Sequence, residues 1–265
     1  MQIVQCLAIH SAATGPRRRR WLAAMLCAVW LTAGAAPAPA PVPVLKVVTV
    51  GVAPWGEIDA GGQPRGIFVD YMRQLSSVSG VPITLSVVPY PRAVALIGSG
   101  AADLLITLDS AQLLRIAHQV APVPMGDVVL ISRASAPYGS LAELRGKVVG
   151  QIRGTSYLPA FDDDGRIGKR GTLSARQNLT MLLEGRFDAA IGMHTSFKYV
   201  MRQMAIKPDK LAPVLVLATV NGSLHYANKS YDAAVAARLA AAVKLLNQRR
   251  LMPSLIDAVL AAPPP

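Results

Sequence analysis

Two hydrophobic periods take turns along this chain. Leu45–Ala53 (LKVVTVGVA) is apolar but for one lysine and one threonine, the pattern of a strand buried on both faces. Val69–Gly80 (VDYMRQLSSVSG) then spaces its apolar residues as a helix does and ends in glycine. Pro82–Tyr90 reads as a strand, Pro91–Gly100 as a helix with proline near its start, and Ala102–Leu108 as a strand. A β-α-β-α-β order with apolar strands and glycine-ended helices predicts a parallel sheet covered on both faces. Val123–Ala134 (VPMGDVVLISRA) is a further strand, long enough to cross between two units.

The pattern then restarts. Ser140–Lys147 predicts a short capped helix, Val148–Gly154 a strand, Thr155–Phe161 the opening of a helix, and Ser174–Gly185 a helix. Asp188–Met193 follows as a strand, Thr195–Met204 as a helix, Ala212–Ala218 as a strand and Leu224–Lys229 as a return crossing. Tyr231–Leu251 and Pro253–Ala262 are alanine-rich and helical in period. Gly100-x-x-Asp103 in the first half is answered by Gly185-x-x-Asp188 in the second, each after a helix and before a strand, with Thr107 and Thr195 behind them. One supersecondary unit, used once in each of two α/β lobes, accounts for this. Two lobes joined by two crossings make a hinge and a cleft that strand ends face.

The first 40 residues belong to a different pattern. Arg17–Arg20 precede the apolar stretch Trp21–Ala36, which ends in small residues and passes into PAPAPVP. A basic region, a short apolar region and an A-x-A-like exit read as a secretory signal, cut near Ala33-Gly34-Ala35. The apolar stretch falls short of the roughly 20 residues a membrane span needs. Leu26 before Cys27 argues against a lipoprotein signal. The expected organisation is therefore a signal peptide over 1–35, a Pro/Ala-rich tether over 36–44, one lobe from 45–131 and 221–265, and the other from 132–220. Both cysteines, Cys6 and Cys27, fall in the removable segment, so the exported chain is expected to carry no thiol. Removing the leader's four arginines from 27 basic and 15 acidic residues leaves a surplus of eight positive charges. No basic block survives and aromatics are 5%, so the charge suits solubility or an anionic small ligand better than nucleic acid.

The chain resembles the bacterial family 3 periplasmic solute-binding proteins, receptors of amino-acid-type ABC importers. GIFVDYMRQLSSVSG, PYPRAVALIGSGAADLLITL, LLRIAHQVAPVPM, SLAELRGKVVGQIRGTSY, LEGRFDAAIG and LLNQRRLMPSLIDAVL carry the likeness, in family order over residues 45–262. The resemblance implies a two-lobed α/β fold of the type II periplasmic-binding-protein kind, each lobe a mainly parallel sheet flanked by helices. It implies a monomer in the periplasm that traps a small polar solute, closes about its hinge, and passes the solute to an inner-membrane permease. No cofactor, metal or nucleic acid is implied. By the same likeness Arg115 would grip a carboxylate, as a planar guanidinium can with two parallel hydrogen bonds. Gly154, Thr155 and Ser156 would offer an anion seat at a helix start. Thr107 would meet the ligand from the first lobe, Trp55 and Tyr90 would wall it, and Arg92 either faces the cleft or snorkels at a helix start.

One departure changes the expected ligand. Met193 stands where amino-acid binders of the family place an aspartate for the ligand ammonium, and a thioether cannot neutralise a buried cation. Asp109 or Glu57 would have to supply the acid, or else the solute lacks an α-ammonium and is a carboxylate or other anion. Phe161–Gly165 (FDDDG) lacks the outer ligands of a calcium loop, and His118, His194 and His225 stand at no zinc spacing. Catalysis is not expected. The enzymatic alternative is a dehydratase-like use of Glu57, and the non-enzymatic one is a sensing or partner-binding module of the same fold.

Overall fold

The computed structural model describes residues 43–263, so the signal-peptide reading, both cysteines and most of the tether lie outside the described residues. No helix among the described residues is long and apolar enough to cross a membrane. The described chain is one mixed eight-stranded sheet with helices on its faces, folded as two lobes.

In the first lobe β1 (Leu45–Val50) lies between β4 (Ile83–Val88) and β5 (Leu104–Leu108), parallel to both. In the second, β7 (Val148–Ile152) lies in the same way between β8 (Gly168–Thr172) and β9 (Ala189–Met193). Two long strands tie these sheets together. β6 (Ala117–Ser132) and β10 (Leu215–Ala227) pair antiparallel along their length, β10 against β5 on one side and β6 against β9 on the other. Their register slips at Val216/Ala218, Val220/Asn221 and Leu224/His225, and such bulges bend a ribbon where it changes sheets. A small hairpin of β2 (Glu57–Ile58) and β3 (Pro64–Arg65) stands outside the main sheet.

Helix α1 (Ile67–Ser79) buries Ile67, Phe68, Tyr71, Met72 and Leu75 and stops at Gly80 in the left-handed conformation. Helix α2 (Tyr90–Ser99) begins at a proline and ends likewise at Gly100. A one-turn α3 (Ala111–Leu114) follows β5, its first turn capped by the Ser110 hydroxyl. The second lobe has a one-turn α4 (Pro159–Asp162), then α5 (Ala175–Leu183) and α6 (His194–Gln203). Helix α7 (Ala233–Gln248), capped by Asp232, and α8 (Leu251–Ala261) return to cover the first lobe. Arg202 of α6 donates to the carbonyls of Leu260 and Ala262, fastening the end of the chain to the second lobe.

Three sequence expectations take another form. The helix expected to open at Thr155 starts at Pro159, because Leu158 before proline is held extended (φ −159°, ψ 142°). The strands expected at Ala212–Ala218 and Leu224–Lys229 are one strand, β10. Gly222, between the two expected segments, is pressed between Met125 and the Thr107 carbonyl, where any Cβ would collide. Ser140–Lys147 forms a single 3-10 turn over Leu141–Leu144.

Candidate functional site

The loop after β1 is built to hold one side chain. The Val52 carbonyl accepts from the Trp55 amide at 2.8 Å, and the carbonyls of Pro54 and Trp55 accept from the Ile67 and Phe68 amides at 3.0 and 2.8 Å. Gly66, at φ 118°, lets α1 come this close, since a Cβ there would stand 2.8 Å from both carbonyl oxygens. Trp55 is thereby fixed on Phe68, ring centroids 4.8 Å apart, and is 2% exposed. Its indole Nε1 donates to Ser196 Oγ at 2.9 Å, a bond between the lobes that joins residues 141 apart in sequence. Beside it Tyr90, at the start of α2, meets Gly154 of the second lobe, where a Cβ would sit 3.4 Å from its ring.

These contacts enclose a cavity of about 50 Å³. Two matching strand ends form part of its wall: Thr107 and Leu108 from β5, Gly192 and Met193 from β9. Aromatic rings from both lobes surround it, Trp55, Phe68 and Tyr90 from the first and Tyr157 and Phe197 from the second. The lining residues with polar side-chain atoms are Thr107, Thr155, Ser196, Tyr90, Tyr157, Asn178 and Trp55. Burial pushes the Tyr90 hydroxyl up, against a smaller opposing pull from Ser110, and pushes Tyr157 up as well. At about 50 Å³ the space is smaller than the roughly 150 Å³ of a dry cavity that admits benzene, so a ring-sized guest does not fit between the lobes as they stand.

Of the residues singled out in the sequence, Trp55, Tyr90, Thr107, Thr155 and Met193 are brought together around this cavity. Gly154 abuts Tyr90 just outside the lining, and Ser156 is half-buried beside it. Arg92 and Arg115 are exposed and outside the lining; the Arg115 carbonyl accepts from Asn228. The turn at Thr155 is not a helix start: its amide donates to Ile152 at 3.2 Å, and the Asp162 carboxylate accepts from the Tyr157 amide at 2.9 Å. Phe68, Met125, Asn178, Ser196 and Phe197 also line the space and were not singled out. Asn178 did leave a signal, as an amide on the apolar face of a helix.

Asp109 turns away from the cavity toward the crossing strands. It accepts from Gln119 Nε2 at 2.8 Å and Ser223 Oγ at 3.3 Å, and its Oδ1 lies 3.1 Å from Nε2 of the fully buried His225. Serine, histidine and aspartate meet here, but the serine faces the aspartate rather than the imidazole, so the imidazole is not placed to activate it. Glu57 pairs with Arg65 at 3.0 Å and lines a separate groove between the lobes, where its carboxylate helps raise the pKa of Tyr199, after burial. Among the described residues no cluster of three histidine, cysteine or carboxylate side chains suits a metal.

No protein-family model and no curated protein matches the chain in sequence. Solved structures do match in shape. The VFT2 domain of Bordetella pertussis BvgS, as a double mutant, superposes with a TM-score of 0.66 at 18% identity, over 93% of this chain and 98% of its own. A histidine kinase sensor domain similar to periplasmic binding proteins gives 0.66 at 21%, over 84% and 98%. A Salmonella typhimurium periplasmic binding protein described as highly specific for arginine gives 0.66 at 18%, over 81% and 98%. The fold is that of the periplasmic binding proteins.

Proposed function

We propose that this chain is an extracytoplasmic receptor that traps a small solute between its lobes by hinge closure and delivers it, as a monomer, to an inner-membrane ABC permease. The observation that carries the reading is the cavity itself, walled from both lobes and bridged by the Trp55–Ser196 hydrogen bond. A guest there touches both halves, so it stabilises the closed arrangement by contacts the open one lacks. The anionic solute suggested by Arg115 and the Thr155 turn has less support, since Arg115 lies outside the lining and the Thr155 amide bonds to Ile152.

A sensing module is the second reading, since two sensor domains stand beside the arginine-binding protein among the structures of the same shape. Both readings require ligand-linked closure, and Trp55 reports it. With Trp21→Phe and Trp30→Phe, Trp55 is the remaining tryptophan of the chain. Titration with a library of small solutes should shift its emission for at least one compound, and Ser196→Ala should shift the ligand-free spectrum by itself. An emission unmoved by every compound and by Ser196→Ala would reject closure at this site.

A further inference from the structure

Resting on the reading of this cavity as the ligand site, we propose that its ligand is uncharged: a small molecule with a compact or planar apolar body and one or two hydrogen-bonding atoms. None of the residues lining the cavity is an aspartate, glutamate, lysine, arginine or histidine. Within two residues of the lining in sequence, Arg92, Arg153, Arg176 and Lys198 are exposed and His194 is half-buried, all outside the lining, and the nearby carboxylates are engaged elsewhere. Asp109 is held by Gln119 and Ser223 and lies against His225, Glu57 pairs with Arg65, and Asp162 accepts from a backbone amide. A carboxylate or ammonium placed among the aromatic walls would therefore be buried without a counter-ion in the lining, which desolvation opposes. A neutral amide, alcohol or phenol loses far less on burial and recovers it through the hydroxyls already present.

Asn178 is a second, independent sign of such a guest. It is 1% exposed and lines the cavity; its Oδ1 accepts from Thr172 Oγ1 at 2.9 Å, while its Nδ2 has no partner in the protein. The Thr172 hydroxyl has a single hydrogen and also lies 3.1 Å from the Gln151 carbonyl, so the reversed amide, donating to Thr172, is equally well held. Either way one polar atom of Asn178 is left over, and it is neutral. The same holds at the strand ends: the two repeats place Leu108 and Met193 at matching positions, both apolar and both at the cavity.

Matched compounds of equal shape and different charge test the idea. Thermal unfolding of the purified full chain would be followed with propionamide against propionate, benzamide against benzoate, phenol, and the zwitterions L-glutamine and L-arginine. The neutral members should raise the melting temperature by several degrees at saturation, with at least tenfold tighter binding than their charged counterparts. Met193→Asp, which adds a carboxylate to the lining, should cancel the benzamide shift and create one for benzylamine. Stabilisation by carboxylates or amino acids alone would overturn the neutral ligand and leave the receptor standing. No shift from any neutral compound overturns it also, and if the charged compounds and Trp55 emission are silent too, the receptor reading falls with it.

Discussion

The two halves of the molecule use one device and then diverge. Gly100 (φ 75°) and Gly185 (φ 73°) end their helices in the left-handed region, and three residues later an aspartate staples the central strand of its own lobe. Asp103 Oδ2 accepts from the Lys46 amide at 2.7 Å, and Asp188 Oδ2 from the Val148 amide, also at 2.7 Å. Each aspartate returns its own amide to the carbonyl of the same residue at 2.8 Å. With these staples aligned, Val48 corresponds to Gly150 and Ala102 to Phe187. The first lobe has valine and alanine where the second has glycine and phenylalanine, and the Phe187 ring lies where a Cβ on Gly150 would be. Bulk has moved from one partner to the other with the backbone kept. Past the staple the halves diverge at alternate positions: Thr107 answers Gly192, Asp109 answers His194, and Ala111 answers Ser196, the residue that holds Trp55. A repeated sequence thus specifies a repeated backbone, and the unlike residues after it make the site.

Exchanging bulk between the lobes breaks this comparison most severely. Gly150→Val should drive a side chain into Phe187 and Asn178 and cost about 3 kcal/mol or more by urea denaturation. Adding Phe187→Ala, which recreates the first lobe's pair, should recover part of that loss; a harmless single variant would show the swap to be incidental. Removing the staples should have a smaller and unequal effect. Asp188→Ala takes the acceptor from a part-buried amide and should cost about 1.5–3 kcal/mol, while Asp103→Ala affects an exposed one and should cost about 1 kcal/mol. Equal costs would mean that burial does not distinguish the two turns.

The smallest effect concerns the pair Asp109 and His194. Desolvation, with a lesser contribution from Lys198, holds His194 below its ordinary value of 6.5. Between its folded and unfolded values the native protein then binds fewer protons than the unfolded chain. Stability is therefore present above about pH 6.5 and declines as the pH falls through that window. Melting temperatures between about pH 7 and pH 5 should fall slightly less in His194→Gln than in the parent, and parallel curves would remove His194 as the cause.

Much of the architecture is legible without the fold. Alternating strand and helix periods, glycines after helices and the doubled Gly-x-x-Asp motif all concern the backbone within a few residues, where sterics and local hydrogen bonds decide. Even the displaced helix start at Pro159 follows from the extended preference of the residue before proline, here Leu158. The strand-end residues Thr107 and Met193 stand out for the same reason, since a strand that leads into a helix must end at the cleft. The partnership of Trp55 with Ser196, the unmatched amide of Asn178 and the absence of charge from the cavity lining have no local signature. They exist because two bulged strands bring together residues as much as 141 positions apart, and what a cavity can bind is set by which side chains meet across it. The sequence alone determined the two lobes and the turns that end their helices; tertiary folding decided that Arg115 stands outside while uncharged rings and hydroxyls close over the space between.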